Sequence, residues 1–418
     1  MRSLRVYAAL FRLPGARRAA LPALLARTTY AMAGLSILLL VHARTGSFAR
    51  GGLATAAYSL ASAAAGPWWG RRIDRIGPAR ALLPLGVAFP GALGLLLAVA
   101  GRSPWTLPCA ALAGALLPQI GAAMRASWSS FTTDEGLLAA AYGMESVLVE
   151  VVYTVGPLLV GGLVAFASPV AAVAVAAATA GIGTLGFCTA PGLPGGGGRG
   201  ARHRRSHPLR VPAVGAVAAA AVLQSCSFGA LEVAVPGFAS ERGSSALGGV
   251  LLAAWAIGSM LGGTVYGARV WPAGSRWADP ARRYLVLLAL AAVTALPVVG
   301  APGTVALGIA LLVSGLTIAP TGTEQFGLVA RATPPGTTTE AFTWLSTTVT
   351  LGAAAGNAAA GAVQDAYGSR AGLGVGAAAG VASLVVALAL RGRLPHGGRA
   401  TRELVGVGAP AVPRAPVL

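Results

Sequence analysis

The apolar residues of this chain neither alternate nor recur on one helical face. They run in blocks of about 20, separated by short joints that hold most of the Arg, Asp and Gly-Pro positions. At 1.5 Å per residue such a block crosses a hydrocarbon core of about 30 Å. Twelve candidates follow, at 21–41, 51–70, 81–100, 104–124, 137–165, 169–190, 213–238, 246–267, 284–300, 304–322, 341–363 and 371–390. The pattern predicts an all-α membrane protein of twelve transmembrane helices in two six-helix halves. Residues 1–190 form the first half, 191–211 a linker, 212–391 the second half and 392–418 a tail.

Composition sharpens this. With 55% hydrophobic residues, 10% charged residues and a mean hydropathy of +0.71, the chain has more apolar surface than a soluble core of its size can hide, so the surplus must face lipid. The net charge of +19 raises nucleic acid as a partner, but its placement argues against that. All basic residues are Arg, and 25 fall on the side of the N-terminus against five on the other. Arg near span ends resists translocation, so both termini are expected in the cytoplasm, with the basic face toward an anionic leaflet. No basic stretch carries the interleaved aromatics on which single strands stack. Arg17 and Arg18 precede a stretch of full spanning length, read as a retained anchor. Cys109, Cys188 and Cys226 lie inside spans without metal spacing, as packing residues, and neither metal nor cofactor is expected.

After the sixth span, Pro191-Gly192-Leu193-Pro194, four glycines and five arginines read as a flexible cytoplasmic linker. His203 and His207 share a helical spacing there but have no third ligand nearby, so solvated linker is the reading. The tail is Pro-, Gly- and Arg-containing without period, and disorder is expected. The halves echo one another at an offset of 200: Tyr142 with Phe342, Ser146 with Ser346, Gly156 with Gly356, Gly161 with Gly361. Trp69-Gly70-Arg71-Arg72 recurs loosely as Tyr266-Gly267-Ala268-Arg269, and Pro118 has Pro320 as counterpart. Internal repeats of this kind are how many transporters build alternating access. Small residues in the fifth and eleventh spans, Gly161-Gly162 and Gly352 to Gly356, offer close helix packing.

The second-to-third joint reads Gly70-Arg71-Arg72-Ile73-Asp74-Arg75-Ile76-Gly77-Pro78-Ala79-Arg80. It resembles the signature loop of the major facilitator superfamily, with Gly70, Asp74, Arg75, Gly77 and Arg80 in place and Pro78-Ala79 where a basic pair usually begins. In that family the loop is a conformational latch, a role the resemblance extends to Asp74 and Arg75. The residues agree, since a lone carboxylate among four arginines can accept from helix N-termini or from Arg. Gly156-Pro157 with Gly161-Gly162 looks like the motif of the superfamily's drug:proton antiporters, with one residue too many before the glycine pair. The resemblance is to the bacterial drug and sugar efflux branch, which implies a multi-pass protein of a bacterial plasma membrane, expected to work as a monomer.

Charges inside spans are costly, about 2.5–3.5 kcal/mol at the midplane, and so mark function. In the fifth span Glu145 lies roughly 9 Å deep and Glu150 roughly 16 Å deep. An ion pair of Glu145 with Arg125 is expected, and Glu150 has no equally obvious partner. Arg27 can snorkel to the cytoplasm or reach toward Glu150. Glu232 can line the outer cavity or sit at the interface, where Glu324 and Gln325 are also placed. Burial favours the protonated acid, so a buried Glu can load and release protons near neutral pH. Glu150, Arg27 and Glu232 are the proton-coupling candidates, and Tyr30, Gln119, Gln224 and Thr317 the polar candidates for substrate. The expected function is export of small organic molecules by alternating access as a proton antiporter. Uptake on the same fold, or a membrane receptor or enzyme, are the competing classes, the last unsupported by any paired catalytic motif.

Overall fold

The computed structural model describes residues 2–101, 104–196, 207–242, 246–269, 271 and 275–395. Linker residues 197–206, with His203, and the tail from 396 lie outside the described residues, and with them most of the flexible-linker and disordered-tail expectations. The first half holds α1 (Arg2–Arg12), α2 (Ala16–Thr45), α3 (Phe48–Ile76), α4 (Pro78–Val99), α5 (Thr106–Ala115), α6 (Ile120–Phe131), α7 (Glu135–Phe166) and α8 (Pro169–Cys188). The second holds α9 (Pro212–Ser240), α10 (Ala246–Gly267), α11 (Pro280–Gly300), α12 (Thr304–Gly315), α13 (Ile318–Ala332), α14 (Thr338–Tyr367) and α15 (Ser369–Ala389).

Ten spans are long and apolar enough to cross a membrane, with α5–α6 and α12–α13 each counting as one. The other two of the twelve expected are α3 and α14, at 29 and 30 residues long enough to cross but less apolar. Their serines and threonines line a central cavity and their charges meet one another, as described below. The fourth and tenth spans, expected to be continuous, are each broken. Pro118 lacks the N–H that would continue the ladder and pushes its predecessor out of helical conformation, so α5 stops before it and α6 starts after it. In the second half Pro320 falls in the first turn of α13, where its missing N–H costs no hydrogen bond. The helix α1 was not legible as a span. It lies across the Arg-rich end, where the Tyr7 hydroxyl donates to the Thr264 carbonyl of α10 at 3.1 Å.

Small residues set the packing. Ala16, Ala19, Ala23 and Ala26 of α2 are buried, and Gly183 of α8 sits against Pro22 and Ala26. Gly352 and Gly356 of α14 lie on the backbone of α9 at Val222 and Cys226, and Gly156 of α7 lies on Ala31 of α2. The two halves therefore repeat one helix–helix contact. Gly161 and Gly162 do not share it, having open space where a Cβ would stand, because they lie beyond the crossing point. Large apolar residues on the outer helices are left bare, with Val87, Ile182 and Val293 all above 60% exposed. That surface requires lipid, and the molecule is a multi-pass membrane protein.

Candidate transport cavity and gate

Contacts between the halves gather at the Arg-rich end of the bundle. The Asp74 carboxylate, at the end of α3, accepts from the backbone N–H groups of Thr339 (3.0 Å) and Glu340 (2.8 Å), the open first turn of α14. Helix N-termini present unpaired N–H donors and a partial positive charge, so an anion there is doubly favoured. One turn back, Arg71 grips the Glu340 carboxylate through Nε (3.1 Å) and Nη2 (2.6 Å). Gly70 permits this approach, since a Cβ there would stand 2.5 Å from Thr343 Oγ1 and 2.8 Å from Glu340 Cα. The pseudo-symmetric crossing joins Gly143 of α7 to Gly267 of α10, where a Cβ on Gly143 would meet Gly267 Cα at 2.6 Å. Tyr7 of α1 packs at this crossing, its hydroxyl donating to the Thr264 carbonyl. Of the other loop residues, Gly77 turns the chain at φ 86° between α3 and α4, while Arg75 and Arg80 are exposed and in no ion pair among the described residues.

Deeper in the first half, Glu145 is 1% exposed and meets Arg27 of α2, with Nη1 2.7 Å from Oε2, while Trp128 Nε1 donates to Oε1 at 3.0 Å. This corrects two expectations. Arg27 neither snorkels nor reaches Glu150, because α2 packs on α7 and brings it to Glu145. Arg125 does not pair with Glu145, because Trp128 one turn on takes that place. Arg125 instead lies between the rings of Phe326 (4.6 Å) and Phe342 (5.5 Å) and donates to Ser346 Oγ at 3.3 Å. In the second half Glu324, expected at the interface, is buried and held by Arg283 through two bonds (2.7 and 3.1 Å) and by the Tyr266 hydroxyl (2.6 Å).

Between the halves lies a cavity of about 390 Å³, walled by α2, α3, α6, α7, α9, α13 and α14. Of the polar candidates, Tyr30, Gln119 and Gln224 line it. Tyr30 also braces the break in the fourth span, donating to the Pro118 carbonyl (2.7 Å) and accepting from Gly121 N–H (3.2 Å). Thr317 lies off the cavity in a small side pocket shared with Gln224, its hydroxyl donating to the Ser314 carbonyl at 2.9 Å. Glu150 is in the cavity wall and forms no ion pair among the described residues; Ser259 of α10 lies beside its carboxylate. Glu232 sits on an exposed face of α9 beside Asn357 of α14. Tyr153, one turn beyond Glu150 from the gate, lines the cavity and is 58% exposed.

Two six-helix halves, a broken fourth and tenth span and a carboxylate seated on the first turn of the eleventh span specify one architecture. The model of the Major Facilitator Superfamily matches residues 20–344, more than three quarters of the chain. The chain belongs to the major facilitator superfamily. Several solved members of this fold superpose on nearly its whole length. One is a bacterial homologue of the iron transporter ferroportin in its outward-facing state, at TM-score 0.70 and 15% identity over 90% of this chain and 98% of that one. The E. coli fucose:proton symporter FucP follows at 0.71 and 14%, over 91% and 99%. The human organic anion transporter MFSD10 (TETRAN) gives 0.68 and 15%, over 89% and 99%. None of the curated proteins matches the chain in sequence. At these identities the solved structures speak for the fold, and the family makes this a transporter.

Arg71, Glu340, Trp128 and Ser346 are functional neighbours that the sequence did not single out. Glu340 carried a signal, an acid in the first turn of the eleventh span, where it favours the helix N-terminus. The others are fixed by contacts between halves more than 200 residues apart or by a helix break, which local pattern does not encode.

Proposed function

We propose that this transporter is a proton-coupled exporter of small organic molecules, with Glu150 as the proton-carrying group. The observation that supports this is a single one: Glu150 stands in the cavity wall without a cationic partner, while Arg27, which could have neutralised it, is committed to Glu145. An unpaired carboxylate in a low-dielectric wall favours the protonated form when the cavity is closed to water and the charged form when water reaches it. That difference between states is what couples a proton to alternating access. The Arg excess at the latched end supports placing that end in the cytoplasm, so that the described conformation is open outward. Export by exchange for protons follows the resemblance of the α7 Gly156-Pro157 stretch to that of antiporters. FucP, with the same fold, is a proton symporter, and coupling to protons is thus within reach of this architecture.

The test is flux in proteoliposomes containing the purified protein, measured against a panel of labelled compounds with and without a pH gradient. Uphill movement opposite to the proton gradient is expected for the wild type. Glu150→Gln, which mimics the protonated acid, is expected to retain exchange at equal pH and lose gradient-driven accumulation. Undiminished accumulation by Glu150→Gln refutes the assignment and moves it to Glu232.

A further inference from the structure

The gate end of the cavity carries an imbalance of charge. Arg27 and Arg125 both line it, at 4% and 7% exposure, and lie close enough to feel one another's charge. Glu145 forms its ion pair with Arg27, and the same single charge is shared at longer range with Arg125. Arg125 has no carboxylate within 4 Å among the described residues; its neutral partners are two aromatic faces and one long hydrogen bond to Ser346. Its Nε is buried without a partner, as are Nε and Nη2 of Arg27. The contrast with the protein's other arginines is direct. Arg71 and Arg283 use that same Nε–Nη2 edge to grip Glu340 and Glu324. The remaining carboxylate in the wall, Glu150, lies beside Ser259 and forms no ion pair with either guanidinium among the described residues.

Two buried guanidiniums against one carboxylate leave a net positive charge at this end of the cavity. Such a charge is costly without a counter-ion, and guanidinium is the side chain best shaped to take a planar anion. The cavity also presents Tyr58, whose hydroxyl is buried without a partner, and the apolar faces of Phe228 and Phe326. Its volume is within the range of sites for drug-sized molecules. We infer that the substrate is an organic anion, with its carboxylate or equivalent group docked on Arg125 and its apolar body against these aromatic rings. This rests on the cavity being the transport site, as proposed above, but not on proton coupling. Export of an anion also has a favourable physical setting, since an inside-negative membrane potential drives it outward.

Binding to purified wild-type protein in nanodiscs separates the two claims, because no gradient or flux is involved. Three probes share one phenylethyl body and carry an anionic, a neutral and a cationic head group: 3-phenylpropionate, 3-phenylpropionamide and 3-phenylpropylamine. The carboxylate is expected to bind at least tenfold more tightly than the amide, and the amine more weakly than either. Arg125→Gln is expected to abolish the preference of carboxylate over amide, while Arg125→Lys retains part of it. Equal binding of carboxylate and amide by the wild type, or tighter binding of the amine, overturns the inference even if no variant folds. An unchanged carboxylate-to-amide ratio in folded Arg125→Gln does the same. Absence of the carboxylate preference in the wild type alongside intact proton-driven flux of some other compound overturns the substrate class and leaves the coupling proposal standing.

Discussion

Replacing Asp74 with Asn removes the charge that joins α3 to the first turn of α14 and keeps the shape. In the native latch each carboxylate oxygen takes one N–H, from Thr339 at 3.0 Å and Glu340 at 2.8 Å. Asn offers one oxygen for those two donors and turns an NH₂ group toward the second. One charge-assisted hydrogen bond is therefore lost outright, worth about 1.5–3 kcal/mol, and the other is reduced to a neutral one. At 1.36 kcal/mol per decade, that corresponds to an opening equilibrium about 10- to 150-fold more favourable. Hydrogen–deuterium exchange of peptides covering 335–345 reads the donors themselves, since Thr339 and Glu340 N–H exchange when the latch opens. Exchange there is expected to accelerate by that factor in Asp74→Asn, with peptides of α4 and α8 unchanged. An acceleration below about threefold refutes the latch and leaves Arg71–Glu340 to hold the gate.

The remaining predictions address parts of the same frame. Glu145→Gln orphans the buried Arg27 and is expected to cost about 3–5 kcal/mol, read as a lowered Tm in detergent, and Arg27→Met with Glu145→Leu should recover most of it. Outside the bundle, the Glu241 carboxyl accepts from Ser369 Oγ (2.5 Å) and N–H (2.7 Å) at the start of α15, and those bonds hold its pKa below the usual range. A depressed carboxyl stabilises the fold above its unfolded value of about 4.3 and ceases to do so as pH falls through the lower folded value. The protection factor at the α15 N-terminus, that is, exchange normalised to the intrinsic amide rate at each pH, should therefore fall on acidification below about pH 4, and Glu241→Gln should show the low protection factor already at pH 7.

Much of this fold was legible in the sequence because lipid imposes a simple rule, a long apolar run for every crossing. Ten spans obey it, and the two that do not, α3 and α14, are the helices whose polar residues face the cavity and the gate. Of the contact at Asp74 the sequence showed the acceptor alone, since its donors are backbone groups of a helix 265 residues away. Charges in the bundle were picked out by the sequence, but several of their partners were not. Arg125 and Glu145 are near in sequence, but the break at Pro118 and the bulk of Trp128 redirect them. Glu324 was placed at an interface because its partner, Arg283, looked like one more loop arginine. Depth along a helix can be counted from sequence, whereas the neighbour facing a side chain depends on helix crossing.

The central claim is that protonation of Glu150 sets the balance between the two ends of the cavity, and it can be read without knowing the substrate. Spin labels at Arg44→Cys on α2 and Ser240→Cys on α9, in a background lacking Cys109, Cys188 and Cys226, report the opening opposite the latch by electron–electron distance. The wild type is expected to shift its distance distribution between pH 5.5 and pH 8, and Glu150→Gln to stay in the low-pH distribution at both. A Glu150→Gln variant that titrates like the wild type, or a wild type whose distances ignore pH, contradicts the account.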